Sequence, residues 1–145
     1  MNISVFRLSL IKDHTISYRT GSLILSPQQV YELVTEYLQD TDREQFVAIF
    51  LDSRSEVIGM NTVSVGTLTE SLVHPREVFK GAILANAASV IVAHNHPSGD
   101  HFPSEADLTV TAKLKESGRI LGIPLEDHVV IGRKAFTSFK QERLL

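Results

Sequence analysis

Two short stretches, Phe46-Val-Ala-Ile-Phe-Leu51 and Val90-Ile-Val-Ala93, are apolar at every position. A strand without polar alternation has no face for water, so both read as buried strands covered on each side. The remaining chain carries the elements that cover them. Ser26-Pro27-Gln28-Gln29 is a helix start, with Ser as N-cap, Pro at the first helical position and Gln at the third. Val30, Leu33, Val34, Tyr37 and Leu38 then form one helical stripe, which Asp40-Thr-Asp-Arg43 breaks. After a turn at Asp52-Ser-Arg-Ser55, Val57 to Val65 reads as the partner of the first buried strand. Pro75 opens a second helix, carried by Val78, Phe79, Ala82, Ile83 and Ala85 and expected to end near Ala88. A third helix is expected from Ser104 to Ser117, with Gly118 as its stop. Val129-Val-Ile131 and Ala135 to Phe139 close the sheet. Strands and helices thus interleave, which predicts an α/β domain with helices on a mixed sheet. In residues 1–25, Phe6, Leu8 and Leu10 alternate with polar neighbours. This segment is expected to form extended strands packed on a domain of residues 26–145.

A chain of 145 residues suits one such domain. Cysteine is absent, so no disulfide framework exists and any metal site must be built from His and carboxylate. No apolar run is long enough to span a bilayer, and Met1 to Arg7 lacks the pattern of a signal peptide. A cytoplasmic location without membrane contact is therefore expected. The formal charge of −3 leans against non-specific binding to duplex DNA, which relies on clustered Lys and Arg. Oligomeric state leaves no trace in the pattern.

The second buried strand leads directly into His94-Asn95-His96. Residues two apart on a strand point the same way, so the two imidazoles project together while Asn95 turns away. Such a pair suits zinc. The loop Pro97-Ser-Gly-Asp-His-Phe-Pro103 then turns the chain towards Asp107, on the first turn of the next helix. A carboxylate from there leaves the fourth tetrahedral position open for water, as in catalytic rather than structural zinc sites. Competing explanations exist for each part. A lone His-x-His is more often incidental than a ligand pair. Ser104-x-x-Asp107 also spells a helix cap, and Asp100 and His101 compete as ligands.

The string His94-x-His96-x7-Ser104-x-x-Asp107 matches the signature of the JAMM (JAB1/MPN) metalloproteases position for position. His94-Asn-His-Pro-Ser-Gly-Asp100, His74-Pro-Arg-Glu77 and Asp127-His128 resemble its RadC-like branch specifically. The resemblance spans about Ser26 to the C-terminus. It implies a three-layer α/β/α fold of the MPN/JAB, cytidine-deaminase-like kind. It also implies Zn2+ held by His94, His96 and Asp107, with Ser104 donating a hydrogen bond to the water or the oxyanion. The general base of such enzymes is a Glu at the mouth of a core strand, and Glu44 fits that place. Glu77 is the rival, although an acidic residue after Pro75 also suits a helix N-terminus. Asp127-His128 is expected to precede a strand and to order a loop or support the site from outside, His74 to cap its helix and His14 to sit in a turn. Asn95 and Ser98 line the cleft in this reading and carry no chemistry.

The resemblance implies a zinc-dependent peptidase or isopeptidase acting on a peptide or protein amide. RadC-like proteins are also linked to DNA repair, so the alternative is a nucleic-acid- or protein-binding module with a structural zinc.

Overall fold

A computed structural model describes residues 1–18, 21–39, 41–66 and 73–145. In chain order its elements are α1 (Pro27–Leu38), β1 (Gln45–Leu51), β2 (Val57–Val65), α2 (Pro75–Leu84), β3 (Ser89–Asn95), α3 (Glu105–Leu121), β4 (Leu125–Ile131) and β5 (Phe136–Ser138). The strands form one five-stranded sheet in the order β2-β1-β3-β4-β5. β3 and β4 run parallel, joined by α3, and the other neighbours are antiparallel. This is the mixed sheet that the interleaving predicts.

Strand parity divides the core in two. Phe46, Ala48 and Phe50 of β1 and Val90 and Val92 of β3 pack against Val78, Phe79 and Ala82 of α2 and Val110 and Leu114 of α3. Val47, Ile49 and Leu51, with Ile91 and Ala93, turn to the opposite face and meet Val30, Leu33, Val34 and Leu38 of α1. Both all-apolar runs are buried along their whole length, so the covering layers are α1 on one side and α2 with α3 on the other. The chain is a three-layer α/β/α domain.

The helix starts follow the sequence. Ser26 caps α1 in a reciprocal capping box with Gln29, with Pro27 in the first turn. His74 caps α2, its Nδ1 accepting from the Arg76 amide at 3.2 Å. The helix ends differ from expectation. α2 stops at Leu84 rather than near Ala88. α3 runs past Gly118 to Leu121, and Gly122, in the left-handed region at φ 71°, ends it. Gly118 is there for closeness instead, since a Cβ would lie 2.5 Å from the Ile123 carbonyl oxygen. Of the break expected after α1, Asp40 lies outside the described residues.

The N-terminal strands expected in residues 1–25 do not form among the described residues 1–18. Residues 1–15 are exposed, and of this segment Ile16 and Tyr18 pack against the α1-side core. Alternation alone does not make a strand, because the backbone groups need a partner edge. The nearest approach to strand pairing is the antiparallel bridge Leu23–Glu56. Among the described residues no helix is long and apolar enough to cross a membrane.

Candidate metal centre

Period-two alternation along β3 puts His94 on the same face as Val90 and Val92, towards α3. The α3 N-terminus brings Asp107 to meet it, and both side chains are about 1% exposed. His94 Nε2 lies 3.0 Å from Asp107 Oδ1 and 2.9 Å from His96 Nε2, and His96 Nε2 lies 3.4 Å from Asp107 Oδ2. Ligands around a tetrahedral zinc with bonds of 2.0–2.1 Å stand about 3.3 Å from one another. The three side chains therefore enclose a space of the right size for one such ion.

Hydrogen-bond logic decides which ring nitrogens are bare. Thr111 Oγ1 donates to the Asp107 carbonyl oxygen at 2.6 Å, because a carbonyl can only accept. It must then accept from His128 Nδ1, which leaves His128 Nε2 to accept from His94 Nδ1 at 2.8 Å. The free lone pair of His94 is consequently on Nε2, facing Asp107. His96 Nδ1 donates to the Asp100 carbonyl oxygen at 2.9 Å, so its lone pair is also on Nε2. Two bare nitrogens and a carboxylate this close repel one another unless a cation joins them. A proton can serve: His96 is raised above its usual value, chiefly by the hydrogen bond to Asp107. Burial pushes Asp107 up, but His94, His96 and the Ser104 amide outweigh it and hold the carboxyl well below the usual carboxylate range. Asp107 Oδ1 remains a buried oxygen with no hydrogen-bond partner of good geometry. An atom of that kind, beside two imidazole lone pairs, is a fitting ligand for a divalent ion.

Glu44, at the mouth of β1, reaches the same group. Its Oε1 is 3.8 Å from His96 Nε2, and one ligand atom each from Glu44, His94 and His96 falls within 4.8 Å of the others. Glu44 and Asp107 are thus two candidate carboxylates beside one imidazole pair. Asp107 is the nearer and the more deeply buried, while the Glu44 side chain is 21% exposed. Ser104 is the N-cap of α3 and shares a capping box with Asp107: its amide donates to Asp107 Oδ2 at 2.7 Å, and its Oγ accepts from the Asp107 amide at 3.1 Å. The cap clamps the Asp107 carboxylate and leaves the Ser104 hydroxyl hydrogen available to another acceptor.

The family model of the RadC-like JAB domain matches residues 24–144. The chain belongs to that family. It is 48% identical over 126 residues to a UPF0758 protein of Desulforamulus reducens, covering 87% of this chain and 56% of that protein. Against a UPF0758 protein of Protochlamydia amoebophila it is 50% identical over 123 residues, 85% of this chain and 53% of the relative. A UPF0758 protein of Methanosarcina acetivorans is 46% identical over 119 residues, 82% of this chain and 52% of the relative. The chain spans about half the length of the curated relatives it matches.

In this RadC-like JAB domain, the residues singled out from sequence meet different fates. His94, His96, Asp107, Glu44 and Ser104 gather at one end of β1 and β3. The rival ligands are engaged elsewhere. His101 Nδ1 pairs with Thr137 Oγ1 at 2.8 Å, and the Asp100 carboxylate accepts from the Phe102 amide at 3.0 Å. Glu77 pairs with Lys80 on the exposed side of α2, which lowers its carboxyl. Ser98 accepts from the Asp100 amide and shapes the loop. His14 is exposed beside Asp13 and belongs to no element.

Asp127 and His128 do not precede a strand; they lie inside β4 and are buried. Burial is the main influence on both, raising Asp127 and lowering His128 well below its usual value. Asp127 accepts from Ser138 Oγ at 2.6 Å, the His128 amide at 2.8 Å and the Lys140 amide at 3.0 Å, which ties β4 to the C-terminal turn. Support of the site by His128 was expected from sequence; that it lies inside a strand and runs through Thr111 was missed. The signal for the strand placement is a histidine followed at once by Val129-Val-Ile131, which reads as part of a buried strand once β4 is extended back to Leu125.

Proposed function

We propose that this domain is a zinc-dependent hydrolase of peptide or isopeptide amides, with His94, His96 and Asp107 as the metal ligands. One observation carries the reading: the lone pairs of a buried and a partly buried imidazole converge with an orphaned carboxylate oxygen within 2.9–3.4 Å, with a second carboxylate at the rim. Bound among these ligands, zinc supplies a Lewis acid that makes water nucleophilic at neutral pH. Glu44 is partly open to solvent and held next to His96, where it takes a proton from water and returns it to the departing nitrogen. Ser104 Oγ acts as an acceptor from the Asp107 amide, so its hydroxyl hydrogen is left to donate to the developing oxyanion. His128 and Thr111 keep His94 in one tautomer and orientation. A structural metal needs no second carboxylate at the rim, so the position of Glu44 favours catalysis over a purely structural or nucleic-acid-associated role.

The test combines metal content with hydrolysis of a mixture of quenched fluorogenic peptides that includes lysine isopeptides. Wild type is expected to carry zinc and cleave a member of the mixture, and Glu44→Gln to keep the zinc and lose cleavage. Equal cleavage by Glu44→Gln, or a wild type that takes up no zinc, overturns the proposal.

A further inference from the structure

β1 and β3 pair in register only as far as Phe46 opposite His94. A continued antiparallel ladder would set Glu44 opposite His96 with backbones about 5 Å apart. The ladder stops instead. The His96 amide donates to the Ile131 carbonyl oxygen at 2.9 Å, which carries the parallel β3–β4 ladder one residue past Asn95, while the β1–β3 pairing ends at Phe46–His94. Where that pairing ends, the β3-facing groups beside Glu44, the Gln45 amide and the Arg43 carbonyl oxygen, are left to a side chain.

The Asn95 side chain fills both vacated roles. Its Oδ1 accepts from the Gln45 amide at 2.7 Å, and its Nδ2 donates to the Arg43 carbonyl oxygen at 2.9 Å. Only this amide orientation satisfies both, since the reverse sets donor against donor and acceptor against acceptor. From the other side the Gly66 amide donates to the Glu44 carbonyl oxygen at 2.7 Å. The peptide units on both sides of Glu44 are therefore tied down. Asn95 is itself buried and lies between the two imidazole-bearing residues, so the same segment that presents the imidazoles also holds the carboxylate segment.

We propose that Asn95 is the positioning residue for Glu44: it bridges β1 and β3 where their pairing ends and holds the Glu44 backbone so that the carboxylate faces His96, 3.8 Å away. In its catalytic consequence this rests on the hydrolase reading; in its structural consequence it does not. An ordinary buried asparagine would satisfy stray backbone groups anywhere. This one satisfies the two that flank a single functional side chain.

The experiment uses the zinc-loaded protein and follows amide hydrogen exchange together with cleavage of whichever fluorogenic peptide wild type cuts fastest. In Asn95→Ala the Gln45 amide should exchange about tenfold faster, for loss of one hydrogen bond. The His96 amide, bonded to β4, should stay protected and so report an intact fold. Cleavage should lose about a hundredfold in kcat with little change in KM, as for a misplaced catalytic group. Zinc affinity should not change. The isosteric Asn95→Asp keeps the acceptor for Gln45 but has no donor for Arg43, so it should keep Gln45 protected and still lose kcat. Asn95→Ala combined with Glu44→Gln should be no slower than Glu44→Gln alone. Unchanged Gln45 exchange in Asn95→Ala, or losses that multiply in the double variant, overturn the proposal. If wild type cleaves no peptide, the hydrolase reading falls while the exchange data still decide the bridge.

Discussion

His128 Nε2 stands 2.8 Å from His94 Nδ1 at the centre of the domain, and neither ring is exposed to solvent. The two residues lie on neighbouring parallel strands, 34 positions apart in sequence, and their contact fixes which nitrogen of His94 faces Asp107. Because Thr111 links His128 to the carbonyl of Asp107, one hydrogen-bond chain joins two of the candidate metal ligands.

Replacing the middle link of that chain should weaken metal binding without abolishing it. His128→Ala removes the acceptor for His94 Nδ1–H and leaves the imidazole free to turn. Zinc affinity, measured by chelator competition, should fall 10- to 100-fold, roughly the range for loss of an outer-shell partner. Unchanged affinity would separate His128 from the metal centre.

Direct ligands should behave differently. Zinc at about 100 times its dissociation constant stabilises a folded protein by about 2.7 kcal/mol. Wild type should show that gain in thermal or urea unfolding and lose it on chelation. Asp107→Ala should show no zinc-dependent gain at the same concentration, because the remaining imidazole pair lacks its buried carboxylate.

The metal-free protein should lose stability as pH falls from about 6.5 to 5. His128 is held well below its usual value by burial, so between its folded and unfolded values the unfolded chain binds the extra proton. Stability therefore rises with pH in this window and falls as the solution is acidified. His96 is raised, and its contribution is fully present below about 6.5 and lost only above it, outside this window. Asp107 is lowered, so its contribution is lost only below about pH 4. Urea titrations across pH 5–6.5 should show the slope in wild type and a flatter one in His128→Gln.

Gly118→Ala tests the close contact between α3 and the turn into β4. An added methyl would meet the Ile123 carbonyl oxygen at 2.5 Å and the Phe79 ring at 3.2 Å. A destabilisation of about 1–3 kcal/mol is expected from overpacking, despite the better helix propensity of alanine. A variant as stable as wild type would show that the α3–β4 turn relaxes freely.

Local chemistry made much of this domain legible. Ser26-Pro-Gln-Gln29 closes the capping box it spells, and the apolar runs through Phe46 and Val90 are the two strands buried on both faces. His94, His96 and Asp107 come together because two of them share a strand end and the third opens the next helix. Other features misled for reasons equally local. The alternation in Phe6, Leu8 and Leu10 has the period of a strand, yet pairing depends on a free edge that the alternation cannot supply. Gly118 has the composition of a helix stop, yet its place in α3 is explained by the Ile123 carbonyl, which only the folded chain brings near.

The sequence by itself determined the element order, the parity of the buried strands, and the residue types able to hold a cation. Those follow from interactions within a few residues: caps, alternation and helical spacing. Tertiary structure alone decided that His128 reaches His94 across the β3–β4 pair and that Asn95 joins β1 and β3 where their pairing ends to bracket Glu44. Hydrogen bonds between residues 34, 50 and 52 positions apart depend on strand register and on where pairing ends, which the whole packed sheet sets and no local pattern encodes.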